Sequence, residues 1–304
     1  MRRQHYLPLL ASLTVVAILT LTTGFAHAAP QAITMTPTSS SPVIMPGAVY
    51  KGSFDVINQG QSGYAFTVYA APYHVDGEDY TPDFTTLPNT TSVDKWFTLS
   101  SSGGHINPGQ TATINYTVAV PANTAPGGYY AVLFAQTQYP KTANSITLNE
   151  RVGEIFYLQA AGTVTQKGQL LSWGAGVFQR PPLTTTLRLE NSGGVHYPAT
   201  IRVNVRDIFG HSKYGLYTVK EVLPQTIRRT TITWNKTPAI GIFKITGTVN
   251  YLNKTVPLHT QWVFVMSPNV RLSLVIVLVL IVLFALARFI YRKRKAKKAA
   301  QTNE

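Results

Sequence analysis

Few residues in this 304-residue chain have the type and spacing that chemistry needs. Four carboxylates, Asp76, Glu78, Asp79 and Asp83, crowd one short stretch. Several oxygens from a single loop are what a hard cation such as calcium requires. The same charges also suit a solvated hairpin tip that discourages edge-to-edge pairing, and Asp76-Gly77 has the form of a two-residue turn. Tyr73, Tyr80 and Phe84 flank this loop. Exposed, they would form a contact patch for a sugar or protein partner; otherwise they belong to the core or pack against their own loop. His74, His105, His196, His211 and His259 each stand alone in or beside a turn or strand end, with no partner at zinc-ligand spacing, so surface histidines are expected. Ser92-Val93-Asp94-Lys95 has the Ser-x-x-Lys spacing of penicillin-binding enzymes without their companion motifs. There is no nucleophile elbow, HExxH, phosphate loop or dinucleotide fingerprint. Without cysteine, thiol catalysis, thiolate metal sites and disulfides are excluded as well. The expectation is a protein that is not an enzyme and holds no cofactor.

The elements around these residues read as strands. Tyr50, Phe54 and Val56 alternate with polar or small residues, and residues 64–70 supply a partner strand after the turn-rich Asn58-Gln59-Gly60-Gln61-Ser62-Gly63. Ala112, Ile114, Tyr116, Val118 and Val120 alternate without a break. Residues 95–99, 129–137 and 154–164 complete a first unit, preceded by a Thr-, Ser- and Pro-rich leader or edge strand over 30–42. After a short linker near 165–168, seven more strands are expected, over 169–173, 183–190, 199–207, 217–222, 230–234, 243–251 and 259–266. Seven strands in this length match an immunoglobulin or fibronectin type III domain. The fold class is therefore all-β, two tandem β-sandwiches over 29–165 and 166–267. No sequence repeat relates them.

Both ends carry membrane signals. Arg2 and Arg3, an apolar core over 7–21 and Ala26-His27-Ala28 make a secretory signal peptide over 1–28. Residues 272–287 hold no charge, and the run to Ile290 is long enough to span about 30 Å of hydrocarbon as a helix, expected over 270–290. Arg271 marks its outer boundary and Arg288 its inner one, where a long side chain snorkels. Arg292, Lys293, Arg294, Lys295, Lys297 and Lys298 make 291–304 a basic cytoplasmic tail by the positive-inside rule, attracted to anionic lipid. This distribution disposes of the net charge of +14 as a nucleic-acid signature. With signal, span and tail set aside, 16 basic residues face 11 acidic ones, a mildly basic body. Export without disulfides points to a bacterial or archaeal envelope.

A resemblance rests on Trp96-Phe97, Asn107-Pro108-Gly109-Gln110, the strand ending Val120-Pro121, and Pro126-Gly127-Gly128-Tyr129-Tyr130-Ala131. This order resembles the immunoglobulin-like domain of bacterial surface proteins of the WxL-interacting type and, more loosely, pilus-chaperone-like sandwiches. Leu187-Arg188-Leu189-Glu190-Asn191-Ser192-Gly193 and the Leu223-Pro224 turn before Trp234 look like that family's companion domain. The resemblance implies peptidoglycan binding by the first domain and partner-protein binding by the second. The expected function is a membrane-anchored extracellular adhesion protein that binds a cell-wall glycan or surface protein. The alternative is an accessory or chaperone-like subunit of an envelope assembly.

Overall fold

A computed structural model describes residues 33–88, 91–138 and 149–301, with side chains as far as 292. The signal peptide and the side chains of Lys293, Arg294, Lys295, Lys297 and Lys298 lie outside the described residues. The described chain is all-β with one C-terminal helix. Its first body comprises β1 (Ile33–Thr36), β2 (Ser39–Ser40), β3 (Val43–Ile44), β4 (Val49–Asn58), β5 (Tyr64–Pro72), β6 (His74–Asp76), β7 (Thr81–Asp83), β8 (Phe97–Leu99), β9 (Gly103–Ile106), β10 (Thr111–Ala119), β11 (Gly127–Gln138) and β12 (Arg151–Ala160). One sheet has the order β1-β4-β10-β8 and the facing sheet β2-β12-β11-β5-β9. The unbroken alternation in β10 puts Ile114, Tyr116 and Val118 inward, where they meet Phe54, Phe66, Leu133, Phe156 and Leu158. Residues 93–96 form a 3-10 turn ahead of β8, so Trp96 enters the core from a turn and not from the strand expected there.

The second body comprises β13 (Gly168–Gly174), β14 (Phe178–Gln179), β15 (Leu183–Asn191), β16 (Tyr197–Asp207), β17 (Ser212–Val222), β18 (Thr226–Trp234), β19 (Ile240–Tyr251) and β20 (Lys254–Met266). Its sheets are β13-β15-β18 and β14-β20-β19-β16-β17. Leu187, Leu189, Ile201, Val203, Ile245 and Val263 fill the space between them, the inward residues of β15 and β16 alternating with outward polar ones.

The two bodies share a device that the sequence does not repeat. In the first, β1 runs antiparallel to β4, then the chain crosses over and β2 and β3 run parallel to β12 in the other sheet. In the second, β13 pairs antiparallel with β15, then β14 pairs parallel with β20. One N-terminal segment thus closes both sheets of each sandwich and covers the edge of the last strand.

Helix α1 (Pro268–Gln301) follows β20 after Ser267. Its stretch Pro268–Arg292 is long and apolar enough to cross a membrane, and neither sandwich covers it.

Candidate functional site

The acidic loop and its flanking aromatics come together at the joint between the sandwiches. β6 and β7 form a hairpin around Gly77, whose φ of +62° suits a residue without Cβ. Tyr80 also takes a positive φ, +59°, which a bulky residue rarely adopts unless its surroundings hold it there. Those surroundings are the second sandwich. The Tyr80 hydroxyl accepts the Leu223 N–H at 2.9 Å and shares a short hydrogen bond with the Thr226 hydroxyl. The Arg228 guanidinium lies 4.2 Å from the centre of its ring. The Arg229 N–H donates to the Glu78 carbonyl at 2.7 Å, so the hairpin also caps the outer edge of β18.

The carboxylates are committed to the same joint. Glu78 receives two charge-assisted bonds from Arg188, which hold its carboxyl below the usual range. Asp79 lies 3.0 Å from the Arg229 Nε. Asp83 accepts the Thr85 N–H and hydroxyl at 2.9 and 3.0 Å, which keep it ionised. Among the described residues no group of three or more His, Asp or Glu is arranged to hold a metal. Here the calcium reading needs correction: two of its four carboxylates already neutralise arginines of the neighbouring sandwich.

Tyr73 and Tyr80 are buried, clustered with Tyr157 and Leu223 and flanked by Phe84, Val75, Tyr130 and Ile155. Tyr73 meets Tyr157 edge-on, and Phe84 meets Phe134 edge-on. The exposed contact patch is therefore corrected too. Tyr73 and Phe84 pack on Tyr157 and Phe134 of their own sandwich, while Tyr80 reaches Leu223 and Thr226 of the next one.

The linker region adds to the seal. The Gly194 N–H donates to the Thr165 carbonyl, the Ser192 N–H to the Lys167 carbonyl, and the Gly128 N–H to the Gly194 carbonyl. The His196 N–H donates to the Tyr130 hydroxyl at 3.1 Å. Burial at this contact lowers the His196 imidazole to about 4, keeping it neutral. His196 is thus an interface residue and not one of the surface histidines expected.

With the joint closed, the open surface is the β14-β20-β19-β16-β17 sheet. β17, eleven residues long, pairs with β16 and with no other strand among the described residues. The other open edge strands, such as β1, β8, β9 and β14, have four residues or fewer, and some longer edges are covered. β12 is covered by β2 and β3, and the Leu170 N–H of β13 and the Ala175 N–H just after it are capped by the Tyr251 hydroxyl and the Gln261 side chain. Beside the β17 edge, Tyr217 is 62% exposed and Val219 46%. Gly215 has open space where a Cβ would stand, and a groove runs there between Arg202, Asn204, Tyr217, Thr246 and Thr248. Arg202 lies 5.1 Å from the Tyr217 ring centre, and the Lys244 Nζ lies 6.0 Å from that of Trp262. Of the outward positions Arg202, Asn204, Arg206 and Lys244 of this sheet, three are cations and the fourth is an amide. Sequence reading located β16 but began β17 at residue 217, because Gly215 broke the pattern. The signal for the face was the alternation of Arg202, Asn204 and Arg206 with Ile201, Val203 and Val205.

One buried carboxyl stands apart. Glu154 points from β12 into the first core, fully buried, and accepts the Ser40 hydroxyl of β2 at 2.5 Å. Burial pushes it up to about 7.

Neither a family model nor a curated protein matches the chain. Solved structures similar to it include the Escherichia coli chaperone DraB, at 11% identity and a TM-score of 0.39, covering 75% of this chain and 97% of that one. The CsuC–CsuE chaperone–tip adhesion subunit pre-assembly complex of Acinetobacter baumannii gives 12%, 0.38, 78% and 99%. The class 5 fimbriae chaperone CfaA gives 10%, 0.38, 76% and 98%. At these low scores, the assignment of two immunoglobulin-like sandwiches stands on the strand pairing itself.

Proposed function

We propose that this chain is a membrane-anchored accessory subunit of the cell envelope, chaperone-like in the sense that it receives an extended segment of a partner polypeptide. The observation that carries this reading is β17, an eleven-residue edge strand open on one side and flanked by an aromatic and cationic groove. An extended peptide added there gains main-chain hydrogen bonds along the edge, and Tyr217, Val219 and Arg202 read its side chains. The body stands outside the cytoplasmic membrane and the basic tail inside, as the cluster from Arg288 to Lys298 favours. The rigid joint fixes the first sandwich relative to this edge. The layout retains the resemblance to the WxL-interacting type, with the second domain as the partner-binding one.

A chain without cysteine makes the test direct. Gly215→Cys and Val219→Cys, labelled with a photoactivatable maleimide in native membranes, are expected to cross-link to a polypeptide, while Lys51→Cys on the first sandwich is not. Absence of adducts from both β17 positions would remove the reading.

A second reading, adhesion to an anionic wall polymer, is favoured by the cations Arg202, Arg206 and Lys244 on this face. It predicts that wall polymer is retained by the immobilised native chain and lost from an Arg202→Glu, Lys244→Glu variant, with no polypeptide cross-linked at β17.

A further inference from the structure

The end of the second sandwich away from the joint is the end from which α1 leaves. Three features of that end are bare and apolar. The segment entering β14 exposes Val177 and Phe178, the β16–β17 turn exposes Ile208 and Phe209, and the start of β19 exposes Ile240 and Ile242. Phe178 and Phe209 are 79% and 78% exposed, extreme for residues of this size. The strand register places all three together: Ile240 pairs with Met266, the last residue of β20, Phe178 pairs with Phe264, and Asp207, just before the turn, pairs with Phe243. From β14 across β20 and β19 to β16 is three strand spacings, roughly 14 Å, so these tips form a rim and not a point.

The junction itself is tied down. The Ser267 N–H donates to the Ala239 carbonyl at 2.6 Å, and the Ser267 hydroxyl accepts the Val270 N–H at 3.3 Å at the start of α1. Phe178, Phe264, Arg180, Arg271 and Leu272 line one cleft between the sandwich base and the first turns of the helix. Arg180 and Arg271 are both exposed there, and the nearby Asp207 is occupied by Lys213 and His211.

We propose that the rim Val177–Phe178, Ile208–Phe209 and Ile240–Ile242 enters the interfacial layer of the bilayer that α1 crosses, with Arg180 and Arg271 against lipid phosphates. The sandwich is seated on the membrane and does not swing on Ser267. The occupant follows from continuity: the apolar helix begins one residue after β20, the strand that pairs with both β14 and β19 of the rim, so the bilayer surface lies at this end. Phe and Ile side chains beside arginines match the layered chemistry of acyl chains below and phosphates above. Seating also orients the β17 edge relative to the membrane. The proposal rests on α1 being a span, and the test separates the two.

The full chain is reconstituted in phosphatidylcholine vesicles with and without phosphatidylglycerol. Single spin labels are placed on Phe178→Cys, Phe209→Cys, Val219→Cys and Val279→Cys, and collision with oxygen is compared with collision with a water-soluble nickel chelate. The expected result is an oxygen-to-nickel ratio several-fold higher at Phe178→Cys and Phe209→Cys than at Val219→Cys, with Val279→Cys highest. Adding Phe209→Glu to the Phe178→Cys variant is expected to return that label to water, and Arg180→Glu with Arg271→Glu to abolish any gain from the anionic lipid. Nickel-accessible rim labels with a lipid-buried Val279→Cys would overturn the seat and leave the span intact. A water-exposed Val279→Cys would overturn both. Strong coupling between rim labels without oxygen excess would assign the rim to a second copy of the chain, and overturn it too.

Discussion

At one end of the second sandwich, Arg188, Leu223, Thr226 and Arg229 are covered by a hairpin from the first. At the other end, Phe178, Phe209 and Ile240 meet no part of the chain that would bury them. The covered end mixes charge, aromatic rings and directed hydrogen bonds, a combination that fixes one orientation. The bare end is apolar with a few arginines, which binds a fluid layer without demanding a register. The difference teaches that a joint between folded bodies needs directional contacts, whereas a contact with lipid needs area.

The comparison can be broken first at Tyr80. Tyr80→Ala removes a buried ring and two hydroxyl bonds, and a loss of about 3–5 kcal/mol is expected, by analogy with large-to-small core changes. Calorimetry should then resolve two transitions where the native chain, in which the sandwiches support one another, has one. Tyr80→Phe keeps the ring and leaves the Leu223 N–H unpaired, costing about 1–3 kcal/mol. An unchanged thermogram for both variants would show that the joint carries no coupling.

Glu154 tests whether an effect can be confined to the first sandwich. Its folded pKa of about 7 lies above the ordinary carboxylate value, so the folded state holds its proton where the unfolded chain has lost it. Stability is then greatest below about pH 4.5 and falls as pH rises through 7, by about 3 kcal/mol at the top of the window. Glu154→Gln should flatten this slope in urea titrations, raising stability at pH 8 and leaving it unchanged at pH 4. A native chain with no slope in this range would refute the burial argument.

His196 sharpens the contrast from the other direction, because its folded pKa is depressed to about 4. Its contribution is present above the ordinary imidazole value near 6.5 and is lost as pH falls toward 4, on the order of 2 kcal/mol for a partly exposed ring. Acid should therefore loosen the joint while it strengthens the first core. Joint opening, followed by proteolysis at 165–168, should be acid-dependent in the native chain and pH-independent in His196→Phe.

The smallest effect is expected at Glu78 and Arg188. Both are partly exposed, so a double-mutant cycle should give a weak coupling that salt reduces further. A large, salt-insensitive coupling would mean that the pair, and not Tyr80, organises the joint.

Much of the fold was legible because period-two alternation states directly which residues face inward. Ile114, Tyr116 and Val118 in β10, and Ile201, Val203 and Val205 in β16, specify strand and face together. The 3-10 turn at 93–96 and the early start of β17 were not legible, since a short turn has no period and Gly215 interrupts one. The candidate site was legible only in fragments. Asp76-Gly77 marked the hairpin, but Glu78 and Arg188 are 110 positions apart and nothing local pairs them.

The sequence by itself determined an alternating, cysteine-free strand body and a charge-free helical run with a cationic end, because alternation and hydropathy are properties of consecutive residues. The tertiary structure alone decided that Tyr73 and Tyr80 close a joint, that β17 is left open as an edge, and that the apolar tips gather where the helix departs. Those outcomes depend on strand order and on which sandwich ends meet, distances that a linear pattern does not encode.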